Sequence, residues 1–174
     1  MSAQNRMIPT DCTIVTASAL TEIEEVRGLF REYATMISVD LGYQGFEQEL
    51  ARLPGAYASP RGCLLLARIQ GLPAGCVALR ELKEGVCEMK RLFIRSPYRA
   101  LGLGRTLTRA IVSHATENGF RTMLLDTLPT MDAALGLYES VGFKRRSPYF
   151  DSPVPGNIFM ELSLVPNQEA EADV

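Results

Sequence analysis

The period of the apolar residues changes several times along this chain, and each change marks an element. Cys12 to Ser18 is short and β-branched, which predicts a strand. Thr21-Glu22-Ile23-Glu24 then gives a helix-start signature, and Val26, Leu29, Phe30, Tyr33, Ala34 and Ile37 recur at helical spacing. Gly42-Tyr43-Gln44-Gly45 breaks that pattern, Glu47–Leu53 predicts a short helix, and Pro54-Gly55 with Ser59-Pro60-Arg61-Gly62 punctuates a loop. Cys63–Ile69, Ala74–Leu82 and Val86–Ile94 read as three strands whose connections are short enough for an antiparallel meander. After Ser96-Pro97 the period becomes helical, with Leu103, Leu107, Ala110, Ile111 and Ala115 on one face that ends near Asn118-Gly119. Thr122–Asp126 is the next strand. A helix follows with Ala134, Leu137, Tyr138 and Val141 on one face, then a strand opened by Gly142-Phe143 and a last one over Gly156–Leu164. The order β-α-α-β-β-β-α-β-α-β-β predicts an α/β (α+β) fold: a mixed, mostly antiparallel sheet of about seven strands with helices on both faces.

Composition narrows the class. The chain has 174 residues, 47% hydrophobic and 22% charged, which suits one ordinary domain around one core, held together without disulfides or metal. Its expected limits are 11–164, after a flexible N-terminus of residues 1–10 and before an acidic tail of residues 165–174 containing Glu169, Glu171 and Asp173. The longest apolar runs fall well short of the roughly 18 residues of a membrane span. The first ten residues lack the basic-then-apolar signature of a secretory signal, so the expected location is the cytoplasm, with no membrane partner. Cys12, Cys63, Cys76 and Cys87 form no C-x-x-C pair and sit in apolar stretches, which fits reduced core residues. His114 is the only histidine, lies near the end of its predicted helix and suits a structural role there, so no metal site is expected.

Net charge is −2, but from Met89 to Thr116 Lys90, Arg91, Arg95, Arg99, Arg105 and Arg109 occur with no acid between them. That cluster is either a solvated basic face or an anion site. Within it, the strand ending at Ile94 enters a helix through Arg99-Ala100-Leu101-Gly102-Leu103-Gly104-Arg105. Glycines there allow close backbone approach, and the first N–H groups of the helix have no intrahelical partners, a combination that binds phosphate. A dinucleotide fingerprint from Gly102 would need glycine where Leu107 stands, and no glycine precedes Lys-Ser or Lys-Thr as in a P-loop. An acidic pI near 5.5 and the lack of aromatic-interleaved basic surface argue against nucleic acid as a partner.

Arg99-x-x-Gly102-x-Gly104, the strand Glu88 to Ile94 before it, and Ala134-Leu135-Gly136-Leu137-Tyr138-Glu139-Ser140-Val141-Gly142-Phe143 after it together resemble the GNAT family of N-acetyltransferases. The resemblance spans roughly residues 75–164. It implies an acetyl-coenzyme A site with no metal, in which Arg99, Ala100, Leu101, Gly102, Leu103, Gly104 and Arg105 cradle the pyrophosphate. Leu92 and Ile94 would pair with the pantetheine, and a backbone N–H near Phe93 or Ile94 would polarise the thioester carbonyl. Met131 stands where that family often has asparagine.

Tyr138 matches the family tyrosine that protonates the leaving thiolate, although its spacing also suits a packed core aromatic. Glu88 matches a glutamate that takes the amine proton, its setting beside Cys87 and Met89 expected to be apolar; the alternative is an ion pair with Lys90. The implied activity is direct transfer of acetyl to a primary amine of a small molecule or peptide in a ternary complex, by a monomer or homodimer. A non-catalytic acyl-coenzyme A-binding module on the same fold is the rival reading. Loops around Tyr43 and Tyr149 are expected to flank the acceptor.

Overall fold

The β-branched and apolar runs assemble into one sheet of seven strands: β1 (Cys12–Thr16), β2 (Cys63–Ile69), β3 (Leu72–Lys83), β4 (Val86–Ile94), β5 (Thr122–Thr127), β6 (Lys144–Arg146) and β7 (Ile158–Ser163). Their spatial order is β1-β2-β3-β4-β5-β7-β6. Every neighbouring pair is antiparallel except β4 and β5, which are parallel. The structure, a computed structural model, describes residues 8–165. Residues 1–7 of the expected N-terminal segment and 166–174 of the expected acidic tail therefore lie outside the described residues.

Helices cover both faces: α1 (Leu20–Ile37), α2 (Phe46–Arg52), α3 (Leu103–Glu117) and α4 (Asp132–Val141). α1 begins ahead of the Thr21 signature, with Glu22 reaching back to accept from the N–H groups of Ser18 and Ala19, just before the helix, at 2.9 and 3.0 Å. Three short 3-10 turns, Leu41–Gln44, Gly55–Tyr57 and Ser96–Tyr98, are too brief to leave a period in the sequence.

In place of the single core expected from length, the sheet separates two apolar clusters. One joins Leu103, Leu107 and Ile111 of α3 to Val77, Leu79, Cys87 and Met89. The other joins Val26, Leu29 and Phe30 of α1 to Leu64, Leu66 and Phe93. Leu64 and Leu66 serve one cluster while Cys63 and Leu65 serve the other, so β2 is a continuous apolar run with no polar alternation.

Two irregularities position the site. β4 and β5 pair only from Val86–Glu88 to Thr122–Leu124, after which they diverge and leave the sheet open in its middle. Beside that opening β4 bulges: Ala78 faces Lys90 and Cys76 faces Phe93, so Val77 opposes both Arg91 and Leu92, and Arg91 takes a φ of 58°. Arg91 is held in this unusual conformation by Glu49 of α2, whose carboxylate accepts from its Nε at 3.1 Å and its Nη2 at 2.7 Å. Its guanidinium also lies 5.1 Å from the centre of the Phe46 ring. Gly75 lets β3 approach the end of β4, since a Cβ there would come within 2.7 Å of both the Phe93 carbonyl oxygen and Ile94 Cδ1.

Candidate active site

The opening between β4 and β5 forms a narrow cleft of about 40 Å³, bounded by Lys90 and Leu92 of β4, Asp126 of β5, Tyr33 of α1, Tyr43 and Gln44 of the following turn, and Tyr138 of α4. A larger groove of about 710 Å³ shares Leu92 and Met131 with this cleft and runs to the start of α3. Leu92, Phe93, Ile94, Arg99, Ala100, Gly102, Leu103, Gly104 and Arg105 all line the groove, opposite Thr130, Ala134 and Leu137. Leu101 instead packs against the α3 cluster.

Gly102 occupies the N-cap of α3 with φ 81°, a left-handed conformation natural to glycine, and no side chain caps the helix. The N–H groups that open the helix therefore face the groove with the positive end of a 15-residue helix behind them. A Cβ on Gly104 would stand 3.4 Å from Leu137 Cδ2, so α3 and α4 meet closely at the groove floor.

Much of the basic cluster is neutralised internally, so it is neither one solvated face nor one anion site. Arg91 pairs with Glu49 and Arg95 pairs with Glu32 at 2.6 Å. Lys90 is buried and donates to Gln44 Oε1 at 3.2 Å. Arg99 donates from Nε to the Ile94 carbonyl at 3.0 Å, which fixes it at the groove rim, and Arg105 lines the same rim.

Tyr138 is buried against Phe143 with ring centres 5.8 Å apart, as core spacing suggested, yet it also borders the cleft. Burial, with smaller contributions from Tyr33 and Asp126, pushes its hydroxyl above the ordinary tyrosine value, so it carries its proton at neutral pH. Glu88 does not sit in an apolar setting, because strand alternation turns Cys87 and Met89 to the opposite face. Its Oε1 accepts from Arg80 Nε at 2.8 Å with Lys90 Nζ 3.8 Å away, and its Oε2 accepts from the Tyr149 hydroxyl at 2.6 Å. Glu88 and Tyr149 line a neighbouring cavity of about 560 Å³ with Arg80, Arg146 and Phe150, whereas Tyr43 lies in the cleft itself.

The model of the acetyltransferase (GNAT) family matches residues 23–143, well over half of the chain. The chain belongs to that family. An uncharacterised N-acetyltransferase of Schizosaccharomyces pombe is 36% identical over 160 residues, covering 91% of this chain and 98% of the relative. A GNAT-family acetyltransferase from Staphylococcus aureus Mu50 superposes with a TM-score of 0.74 at 19% identity, over 88% of this chain and 99% of that one. A Salmonella typhimurium structure containing its cofactor acetyl-CoA has a TM-score of 0.66 at 17% identity, over 94% and 100% of the two chains.

For this GNAT acetyltransferase, several residues around the cleft escaped sequence reasoning. Asp126 closes the apolar run Met123-Leu124-Leu125, and a carboxylate ending a buried strand is the signal that could have marked it. It accepts from Asn157 Nδ2 at 3.0 Å. Tyr33 and Lys90 reach the cleft from helical and strand positions that looked like core spacing and surface charge. The cysteines are all free; burial pushes the Cys63 thiol up to about 11 and Cys87 to about 12, and raises Cys76 as well, so none is prepared as a nucleophile. His114 stands near the end of α3, 3.3 Å from Asn118 Nδ2. Among the described residues no cluster of three or more ligands could hold a metal ion, and no helix is long and apolar enough to cross a membrane.

Proposed function

We propose that this GNAT acetyltransferase moves acetyl directly from acetyl-CoA to a primary amine of a small molecule or peptide within a ternary complex. The observation that carries this is the opening of the sheet beyond Glu88 and Leu124, where a groove with a free helix start meets a cleft holding a protonated tyrosine and a carboxylate. The groove fits acetyl-CoA: uncapped N–H groups with Arg99 and Arg105 suit the pyrophosphate, and β4 from Leu92 to Ile94 has no β5 partner, leaving backbone groups for the pantetheine. When bound there, acetyl-CoA supplies the thioester.

The chain's own residues then divide the work. Backbone N–H groups at the bulge, near Phe93 and Ile94, stabilise the charge that develops on the carbonyl oxygen. Tyr138 gives its proton to the departing sulfur. The amine must lose a proton to become nucleophilic, and Asp126 receives it, because Asp126 lines the cleft with one neutral partner while Glu88 is tied to Arg80 and Tyr149. Glu88 serves instead to hold Lys90 and Tyr149 in place. Cytoplasmic location and action as a monomer or homodimer complete the proposal.

The rival, a non-catalytic acyl-coenzyme A-binding module, needs the groove but neither Tyr138 nor Asp126 at the cleft. Thiol release from acetyl-CoA across a panel of amines separates the two: amine-dependent release supports the enzyme, and tight coenzyme A binding without release supports the module.

A further inference from the structure

Two charges in the acceptor cleft lack full compensation, and they lie on opposite strands of the opening. On the β4 side, Arg80 of the neighbouring β3 joins Glu88 and Lys90 of β4 in a triad of two cations around one anion, so one positive charge is left over, and Lys90 is the buried member of the two cations. Its remaining contact is the neutral Gln44 amide. The adjacent Arg91 does not alter this, being matched by Glu49. On β5, Asp126 has one hydrogen-bond partner among the described residues, the neutral amide of Asn157, whose own Oδ1 is buried without a donor. Asp126 thus has room for a further donor on the β5 side of the cleft, and Lys90 for a further anion on its β4 side. Lys90 and Asp126 both border it without forming an ion pair with each other.

An isolated buried charge is costly unless a partner reaches it, and a guest bearing the opposite pair of charges would supply both partners at once. We propose that the acceptor is a free amino acid, its ammonium received by Asp126 and its carboxylate by Lys90. The assignment rests on the acetyltransferase reading above and specifies its substrate class. Burial lowers the Lys90 pKa, with the charges of Glu88 and Asp126 opposing that shift and those of Arg91 and Arg80 adding to it, consistent with an ammonium that gains from an incoming anion. In the transfer, the amine nitrogen forms its bond to the acetyl carbon as the carbon–sulfur bond breaks. One ammonium proton passes to Asp126, the sulfur takes the Tyr138 proton, the second nitrogen proton returns to the Tyr138 oxygen as the neutral amide forms, and the amino acid carboxylate stays on Lys90 unchanged.

The test compares kcat/KM for free amino acids with that for their carboxamides, which keep the amine and the shape but lose the negative charge. The parent should favour the acids by about ten- to a hundredfold, the worth of one charged hydrogen bond, and Lys90→Met should lose that preference by the same factor. Lys90→Arg should keep part of it. The ratio of two acceptors on one preparation cancels any change in the folded fraction. Equal or better use of the carboxamides by the parent, or an unchanged ratio in Lys90→Met, overturns the assignment while leaving amine acetylation standing. Release of thiol with no amine at all, by protein that still binds coenzyme A, overturns the acetyltransferase reading and this one with it.

Discussion

In the proposed mechanism Tyr138 serves a core and a reaction together: its ring packs on Phe143 while its hydroxyl, which makes no hydrogen bond that shifts its pKa, borders the cleft. Tyr138→Phe should therefore leave the unfolding free energy within about 0.5 kcal/mol of the parent and lower kcat by roughly 10²-fold. Unchanged kcat with chemistry rate-limiting would reduce Tyr138 to packing. The two carboxylates separate in the same way. Asp126→Asn should lower kcat/KM by roughly 10²- to 10⁴-fold, whereas Glu88→Gln should chiefly weaken acceptor binding. The opposite pattern, measured with one acceptor, would return the base role to Glu88. At this scale the sequence exposed Tyr138, Gly102 and Gly104, because a turn and the helix following a fixed motif are local. It hid Asp126 and the surroundings of Glu88, because what a carboxylate faces is decided by strands distant in the chain: Arg80 on β3 and Tyr149 beyond β6.

Among the elements, the proposed mechanism gives the α3 start and the β4 bulge the task of setting where ligands sit. If the uncapped start of α3 binds the cofactor's phosphates, coenzyme A at about 100 times its Kd should stabilise the fold by roughly 2.7 kcal/mol. Gly104→Val should erase most of that shift, since a branched side chain rising from the groove floor beside Leu137 fills the phosphate's place. Undiminished coenzyme A binding by that variant would put the cradle elsewhere. Element boundaries were legible wherever a period ran long enough: β2 and β4 occupy the residues that pattern indicated, and α3 begins at the first apolar residue after the glycine turn. The bulge at Arg91 was not, because its cause lies in Glu49, Phe46 and Gly75, and no local signal in Lys90-Arg91-Leu92 announces a left-handed residue.

Across the whole molecule, the Arg91–Glu49 pair ties α2 to the open middle of the sheet. Burial alone would raise the Glu49 carboxyl, but the hydrogen bonds and charge of Arg91, helped by the Tyr57 hydroxyl, outweigh it and hold Glu49 below the usual glutamate value. The folded state thus binds its proton less readily than the unfolded state. The stability this contributes is complete above about pH 4.3, the ordinary value, and is lost as pH falls through the lowered one. Urea titrations should show that acid loss in the parent, while Glu49→Gln, which strands a buried guanidinium, should cost about 3–5 kcal/mol at neutral pH and flatten the acid dependence. An equal acid dependence in both proteins would assign it to other carboxylates. Chain order and layer composition were readable from sequence alone, but the division into two clusters and the parting of β4 from β5 depend on pairings across the fold. That parting underlies the central claim, that acetyl passes directly to an amine held in the opening. The direct measurement follows radiolabelled acetyl from acetyl-CoA with and without a primary amine. The account predicts label on the amine in step with thiol release, none on the protein, and no release without amine; label retained on the protein, or equal release without amine, would contradict it.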